Sequence, residues 1–341
     1  MNHRHGISVV ARFLRWSVSL LILTILILLT YVYSPVLISP ADNYTERKGS
    51  IKSATITREW QERGSYFSEL DLESDSGLYV QITIRIPEQS STPRTDQSST
   101  QSTDQSIEPL PVALLLGGVG TGRSACHIIP QIKHVICVSI SYPYRGTKNI
   151  EGLGFIYNLR DLQQVVKDTP PAMMLALDYV LSQPYSDTNQ VELLGVSFGA
   201  YFISIPAVLD SRVTRVWIAH GAAEPIKVMI HNYYQAPDRH FVNKFLTHLV
   251  GYAIGSQHVD PEKWVGRISP RPVILINAER DKTFPDSSIA ALHHAARQPK
   301  EVIWTKGVHV TPGRKEIVKQ ISDLVLNRME SEFQKRRVNN R

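Results

Sequence analysis

The chain has 341 residues, 43% hydrophobic and 20% charged, with a formal net charge of +6. That length holds one large domain or two small ones, and the composition is ordinary for a protein with a real core. The charge sits at the ends, in Arg4, Arg12 and Arg15 and in Lys335, Arg336, Arg337 and Arg341, which leaves the chain between them close to neutral. A nucleic-acid binder carries its basic patch on the folded domain, so no nucleic-acid partner is expected.

Residues 1–15 form a basic N-terminus. Residues 16–33, Trp16 to Tyr33, are uncharged and dominated by Leu, Ile, Val and Tyr. As a helix they would cover roughly 27 Å, close to the thickness of a hydrocarbon core. A secretory apolar region is usually about 7–15 residues, and the small-residue site Ser39-Pro-Ala41 lies well beyond the run. An uncleaved transmembrane anchor is therefore favoured over a cleaved signal peptide. Basic residues precede the run, while the first charge after it is Asp42. That asymmetry keeps the N-terminus cytoplasmic and places the rest on the exported, periplasmic or extracellular, side of a single-pass protein.

Residues 34–65 read as a linker. From Tyr66 to Pro87 two alternating runs flank the turn Asp75-Ser-Gly77, which predicts a hairpin. Residues 88–108 are almost wholly Ser, Thr, Gln, Asp and Pro, and bury too little to offset their ordering entropy. The hairpin before them is too small to stand alone, so they read as a disordered insertion within one domain, 66–334.

Beyond it, strand-like runs alternate with helical ones. The strands are Val112–Leu116, Val135–Ile140, Val191–Leu194, Val213–Ala219, Val273–Asn277 and Val302–Trp304. Helices are predicted at Ala172–Leu181 and Ser287–Ala296. This rhythm implies an α/β fold, a mostly parallel central sheet with helices on both faces. Residues 224–257 break it; Phe241, Phe245, Leu249 and Tyr252 recur at helical spacing, which predicts a small helical cap. A last helix carries Ile317, Ile321, Leu324 and Val325 on one face, and a basic tail, 335–341, suits its dipole. The two cysteines, Cys126 and Cys137, make no disulfide framework or zinc site and read as small buried hydrophobes, with a single bridge left open.

Gly195-Val-Ser197-Phe-Gly199 follows an apolar strand and precedes a helix, the setting of a nucleophile elbow. A serine hydroxyl needs a base to attack at neutral pH. His309, in Lys306-Gly-Val-His309, stands between the last strand and the last helix. Such a base needs a carboxylate to fix its tautomer. Asp281, in the loop after Val273–Asn277, has room to turn toward His309; Glu279 competes. Oxyanion donors are expected from the amide of Phe198 and from the loop Gly117-Gly-Val-Gly-Thr-Gly122, with Val119 chosen there. That loop lacks the Lys-Ser/Thr ending of a phosphate loop.

The strand–GxSxG–helix, then Asp281, then His309, with a glycine loop upstream, resembles the alpha/beta-hydrolase superfamily. The stretch Asp260 to Asn277 resembles its dienelactone-hydrolase and acyl-peptidase-like branch. The resemblance covers roughly Tyr66 to Phe333, apart from the insertion and parts of the cap. Leu116 before Gly117 departs from the His-Gly-Gly-Gly loop of lipases. The resemblance implies a Ser197–His309–Asp281 triad and an acyl-enzyme.

Residues on predicted strand-end loops are weaker candidates. His220, expected on the rim, reads as a substrate contact or a structural histidine, and Tyr144 and Arg145, with Tyr142, as rim residues, Arg145 facing a substrate anion. His293-His294 lacks metal-ligand spacing and reads as solvated. No metal or cofactor is expected. The leading function is ester hydrolysis of a small-molecule or lipid-like acyl substrate. A thioesterase, peptidase or acyltransferase would use the same residues, and a non-catalytic membrane-anchored binding domain is the reading from another class.

Overall fold

The computed structural model describes residues 3–37, 43–88, 109–130, 132–147, 153–234 and 242–339. Apart from Glu88, the expected disordered insertion lies outside them, as do Ser39-Pro-Ala41. In chain order the first elements are α1 (His3–Leu37), α2 (Tyr44–Lys48), β1 (Ile51–Glu62), β2 (Ser65–Ser74) and β3 (Tyr79–Pro87). β4 (Leu110–Leu116), the four-residue α3 (Ala125–Ile128), β5 (Ile136–Ile140) and the long α4 (Leu153–Leu181) follow. Then come β6 (Ser186–Val196), α5 (Ser204–Leu209), β7 (Arg215–Ala219), α6 (Pro225–Tyr234), α7 (Val242–Ile254) and α8 (Pro261–Trp264). β8 (Val273–Ala278), α9 (Asp286–Ala295), β9 (Lys300–Thr305) and α10 (Lys315–Asn339) close the chain.

Among the described residues, all nine strands join one sheet in the order β1-β2-β3-β5-β4-β6-β7-β8-β9. The first three pair antiparallel, β3 meets β5 antiparallel, and every pair from β5 to β9 is parallel. Burial on both faces explains the unbroken aliphatic runs of β4, β5 and β8. Alternate residues divide between two cores. Val112, Leu114, Leu116, Val216 and Ile218 pack under α4, α5, α8 and α9. Ala113, Leu115, Leu194, Trp217 and Ala219 face α3 and α10 instead.

Four sequence expectations change. The linker 34–65 contains α2 and the edge strand β1, which pairs with β2 from Ile51↔Ser74 to Glu62↔Ser65. β1 is exposed along nearly all its length, so it carries no apolar alternation to read. α4 begins near Leu153, well before Ala172, and runs through Pro170 and Pro171. Two prolines remove amide donors and normally end a helix; here buried residues on both sides, Val165, Val166, Met173 and Met174, hold it against the sheet. The basic tail 335–341 is, up to Asn339, the last turns of α10. Arg336 pins it by donating to Asp187 at 3.1 Å and to Gln190. The helix after Ser197 is a 3-10 turn, Ser197–Tyr201, before α5 begins.

α6 and α7 occupy the predicted cap, with 235–241 outside the described residues. Within α1, Trp16–Ser34 is long and apolar enough to cross a membrane, and none of it is buried against the domain. Its end is nonetheless tied down. Arg160 of α4 donates to the Tyr31 carbonyl at 2.6 Å and lies 4.2 Å from the Tyr31 ring centre. Gln163 donates to Val32 and to Ala253 of α7 at 2.8 and 2.6 Å, and the Tyr33 hydroxyl donates to Leu249 at 3.3 Å. Cys126 and Cys137 are free and fully buried, and burial pushes the Cys137 thiol up to about 12.

Candidate active site

Strand order sets where the site lies. From β4 the chain passes to β5 on one side, then crosses over α4 to β6 on the other. The loops leaving β4 and β6 therefore part company above the carboxyl ends of the strands, which opens a crevice there. Ser197 follows β6, the glycine loop follows β4, and Asp281 and His309 follow β8 and β9.

Ser197 sits at φ 55°, a left-handed conformation that costs a non-glycine residue about 1–3 kcal/mol. Its neighbours make that turn possible. A Cβ on Gly199 would stand 2.0 Å from the Leu116 carbonyl oxygen, and one on Gly195 2.8 Å from the Ile203 Cβ. Both glycines are thus required by close approach of backbone and core.

The structure brings Ser197, His309 and Asp281 into one hydrogen-bonded chain. Ser197 Oγ lies 2.8 Å from His309 Nε2, and His309 Nδ1 lies 2.7 Å from Asp281 Oδ2. The other carboxylate oxygen accepts from the amides of Thr283 and Phe284 at 2.8 and 3.2 Å. Burial alone would raise the Asp281 pKa; His309 and those two amides outweigh it and hold the carboxyl below its ordinary value. Glu279, the competing carboxylate, is exposed. The Phe284 ring stands edge-on to the imidazole at 5.0 Å, and Arg314 donates to the His309 carbonyl.

His220 is not a rim residue. It is wholly buried, at φ 47°, and its Nδ1 accepts from the Val310 amide at 2.9 Å. The imidazole is therefore a strut beneath the loop that carries His309, whose ring centre is 5.7 Å away. The ligand atoms of His220, Asp281 and His309 lie within 4.8 Å of one another. Each nitrogen facing that group already has a hydrogen-bond partner, so the cluster is not arranged to receive a cation. Tyr144 and Arg145 also depart from expectation. They line a separate cavity with Tyr79, Gln81, Asp161 and Asp168, because β4 lies between their strand and β6. Their neighbour Tyr142 does reach the site. Its ring lies 5.4 Å from that of Phe198, and its hydroxyl, kept protonated by burial, donates to the Gly117 carbonyl. Thr121 Oγ1 ties the same loop down by donating to the Gly118 carbonyl at 2.7 Å. His293, expected to be solvated, is half-buried, with Nε2 2.8 Å from Asn277 Oδ1.

Above the serine, Gly118 and Val119 meet Phe198 at the mouth of a cavity of about 400 Å³. A Cβ on Gly118 would stand 3.7 Å from Ser197 Oγ, which marks how near that loop comes. Among the described residues, neither the Gly118 nor the Val119 amide donates to another backbone carbonyl. The Val119 side chain is 75% exposed.

This architecture is the alpha/beta-hydrolase fold. The acetyl xylan esterase from Paenibacillus sp. R4 is similar at a TM-score of 0.53 and 18% identity, over 83% of this chain and 92% of that one. Acetyl xylan esterase 1 from Thermoanaerobacterium sp. JW/SL YS485 gives 0.52 at 15%, over 86% and 97%. At such identities the likeness is one of fold. No family model matches the chain, and no curated protein matches it in sequence.

Proposed function

We propose that this chain is a membrane-tethered serine hydrolase that cleaves carboxylic esters through an acyl-enzyme. The observation that carries the reading is the continuous hydrogen-bonded chain from Ser197 through His309 to Asp281 at the mouth of a cavity.

His309 Nε2 takes the Ser197 proton as Oγ bonds to the ester carbonyl carbon, and the carbonyl oxygen becomes an oxyanion. The amides of Phe198 and Val119 are the donors assigned to it, and aligned donors act most strongly where water is excluded. The imidazolium then gives its proton to the leaving alkoxide as the ester C–O bond breaks, and an alcohol departs. A water molecule attacks the acyl carbon, passing a proton to His309. That proton returns to Ser197 Oγ as the acid is released. Asp281 keeps the proton on Nδ1 and balances the imidazolium charge without itself becoming protonated. The two similar structures are named as acetyl xylan esterases, which favours oxygen esters over amides and thioesters.

The tether is α1, retained rather than cleaved, with the N-terminus cytoplasmic and the domain exported. The bonds from Arg160 and Gln163 to Tyr31 and Val32 support retention, because they make the end of the apolar helix part of the folded domain. Ser197→Ala tests the chemistry. Labelling by a fluorophosphonate should vanish and ester turnover fall on the order of 10⁴-fold or more, with melting unchanged. A folded mutant that still labels and turns over would refute the assignment.

A further inference from the structure

The two faces of the sheet are covered unequally. α4, α5, α8 and α9 lie on one face. On the other, the described part of the connection from β4 to β5 supplies a 3-10 turn, Gly122–Ser124, and the four-residue α3, so among the described residues α10 is the one long helix there. The side chains packed between them leave a cavity. The cavity that opens at Ser197 runs into this layer. Its mouth is formed by Gly118, Val119, His309 and the exposed Thr311 and Pro312. Its inner wall is Leu115, Ala125, Ile129, Leu194, Val196 and Ile321, all carbon at their side-chain surfaces.

We infer that this cavity receives the acyl chain of the substrate, and that the preferred ester carries a medium-length aliphatic acyl group rather than acetyl. The inference rests on the serine-hydrolase reading above and specifies its substrate. Three features lead to it. The first is depth. Leu194 stands three positions before Ser197 on β6, so the wall reaches roughly 10 Å below the nucleophile. An acetyl methyl would leave nearly all of that apolar surface uncovered; a chain of about six to ten carbons would cover it. The second is polarity. Beyond Ser197 and His309 the polar side chains of the lining, Thr121, Thr283, Thr311 and Ser322, are few and uncharged, so nothing there pairs with an ionised acid. The third is the order of chemical events. The alcohol must leave before water attacks, whereas the acyl group stays bonded to Oγ. A pocket walled by the buried Leu115, Ile129, Leu194 and Ile321 suits the part that stays.

The experiment uses the full chain in nanodiscs and two series of p-nitrophenyl and alkyl esters. One varies the acyl chain from acetate to decanoate on a constant nitrophenol; the other varies the alcohol on a constant acetate. Burying each methylene should raise kcat/KM by up to about fourfold until the pocket is full. The optimum is expected between hexanoate and decanoate, at least tenfold above acetate, with little dependence on alcohol length. Ile321→Trp places an indole in the inner wall and should move the optimum to shorter acyl chains, lowering the octanoate-to-acetate ratio at least tenfold. Should that variant not fold, the wild-type series decides alone. A highest kcat/KM for acetate, or a dependence on alcohol length in place of acyl length, overturns the assignment while leaving a working hydrolase. No ester cleavage and no fluorophosphonate labelling would remove the hydrolase reading itself, and the pocket assignment with it.

Discussion

Around Ser197, single side chains divide into those that the proposed chemistry uses and those that hold them in place. His220 belongs to the second group, and its burial gives it a pH signature. Burial, aided by His309 and opposed by Asp281, pushes its pKa down to about 4. The unfolded chain therefore takes up a proton near pH 6.5 that the folded chain refuses until about pH 4. Stability from this residue is complete above that window and falls as the pH drops through it, by at most about 1.4 kcal/mol per unit. His220→Gln should flatten the dependence of melting temperature on pH between about 6.5 and 4; melting curves that stay parallel to the wild type would show that His220 contributes nothing there. Ser197, Asp281 and His309 could be singled out in sequence because each stands within a few residues of the end of an apolar strand run and is a residue type that the proposed chemistry uses. His220 follows a strand too, but a φ of 47° turns its ring inward, and nothing in the neighbouring letters records that. Tyr144 and Arg145 were misplaced for a different reason: strand order, not distance along the chain, decides which loops meet.

At the level of elements, α10 is held to the sheet by a buried polar knot as well as by apolar contact. Glu192 on β6, 2% exposed, accepts from the Trp217 indole at 2.6 Å and from Arg215 at 3.2 Å. Arg215 also reaches Glu332 on α10 at 2.9 Å. Burial raises the Glu192 pKa, against the pull of Arg215 and Trp217. Glu192→Ala would strand the indole N–H without an acceptor and leave the Arg215 guanidinium with Glu332 alone, at a cost of about 3 kcal/mol. Glu192→Gln keeps one acceptor and should cost less. Thermal melts of the three proteins in nanodiscs make the comparison, and equal losses would show that packing alone matters at that position. The six parallel strands could be read from their apolar runs. β1 could not, because a strand wet on both faces has the composition of a linker. The first half of α4 was hidden by Pro170 and Pro171, whose usual meaning is overridden by the sheet beneath them.

For the whole molecule, the important relation is between α1 and the domain. Around the point where Tyr31 to Tyr33 are held lie exposed apolar side chains of the two helices that hold them. Phe245, Leu246, Leu249 and Tyr252 are on α7, and Ile156 and Tyr157, the latter 81% exposed, are on α4. Aromatic and aliphatic side chains next to a span partition into the headgroup boundary. A fluorophore on Tyr157→Cys or Leu246→Cys should be quenched by brominated lipid in nanodiscs, and one on Trp304→Cys, at the far edge of the sheet, should not. Cys126 and Cys137 are too buried to compete for the label. Equal quenching at all three sites, or none at the first two in a chain that remains in the nanodisc, would refute that placement. With α1 as the membrane tether proposed above, the hydrogen bonds at Tyr31, Val32 and Tyr33 also fix how the domain stands on it. A protein on a loose tether samples every orientation and meets substrates as a soluble enzyme does, at their bulk concentration. One whose tether is bolted to its body holds its entrance at a constant height and angle above the bilayer. Its effective substrate pool would then be a thin slab parallel to the membrane, and geometry of approach would select among substrates before the active site does.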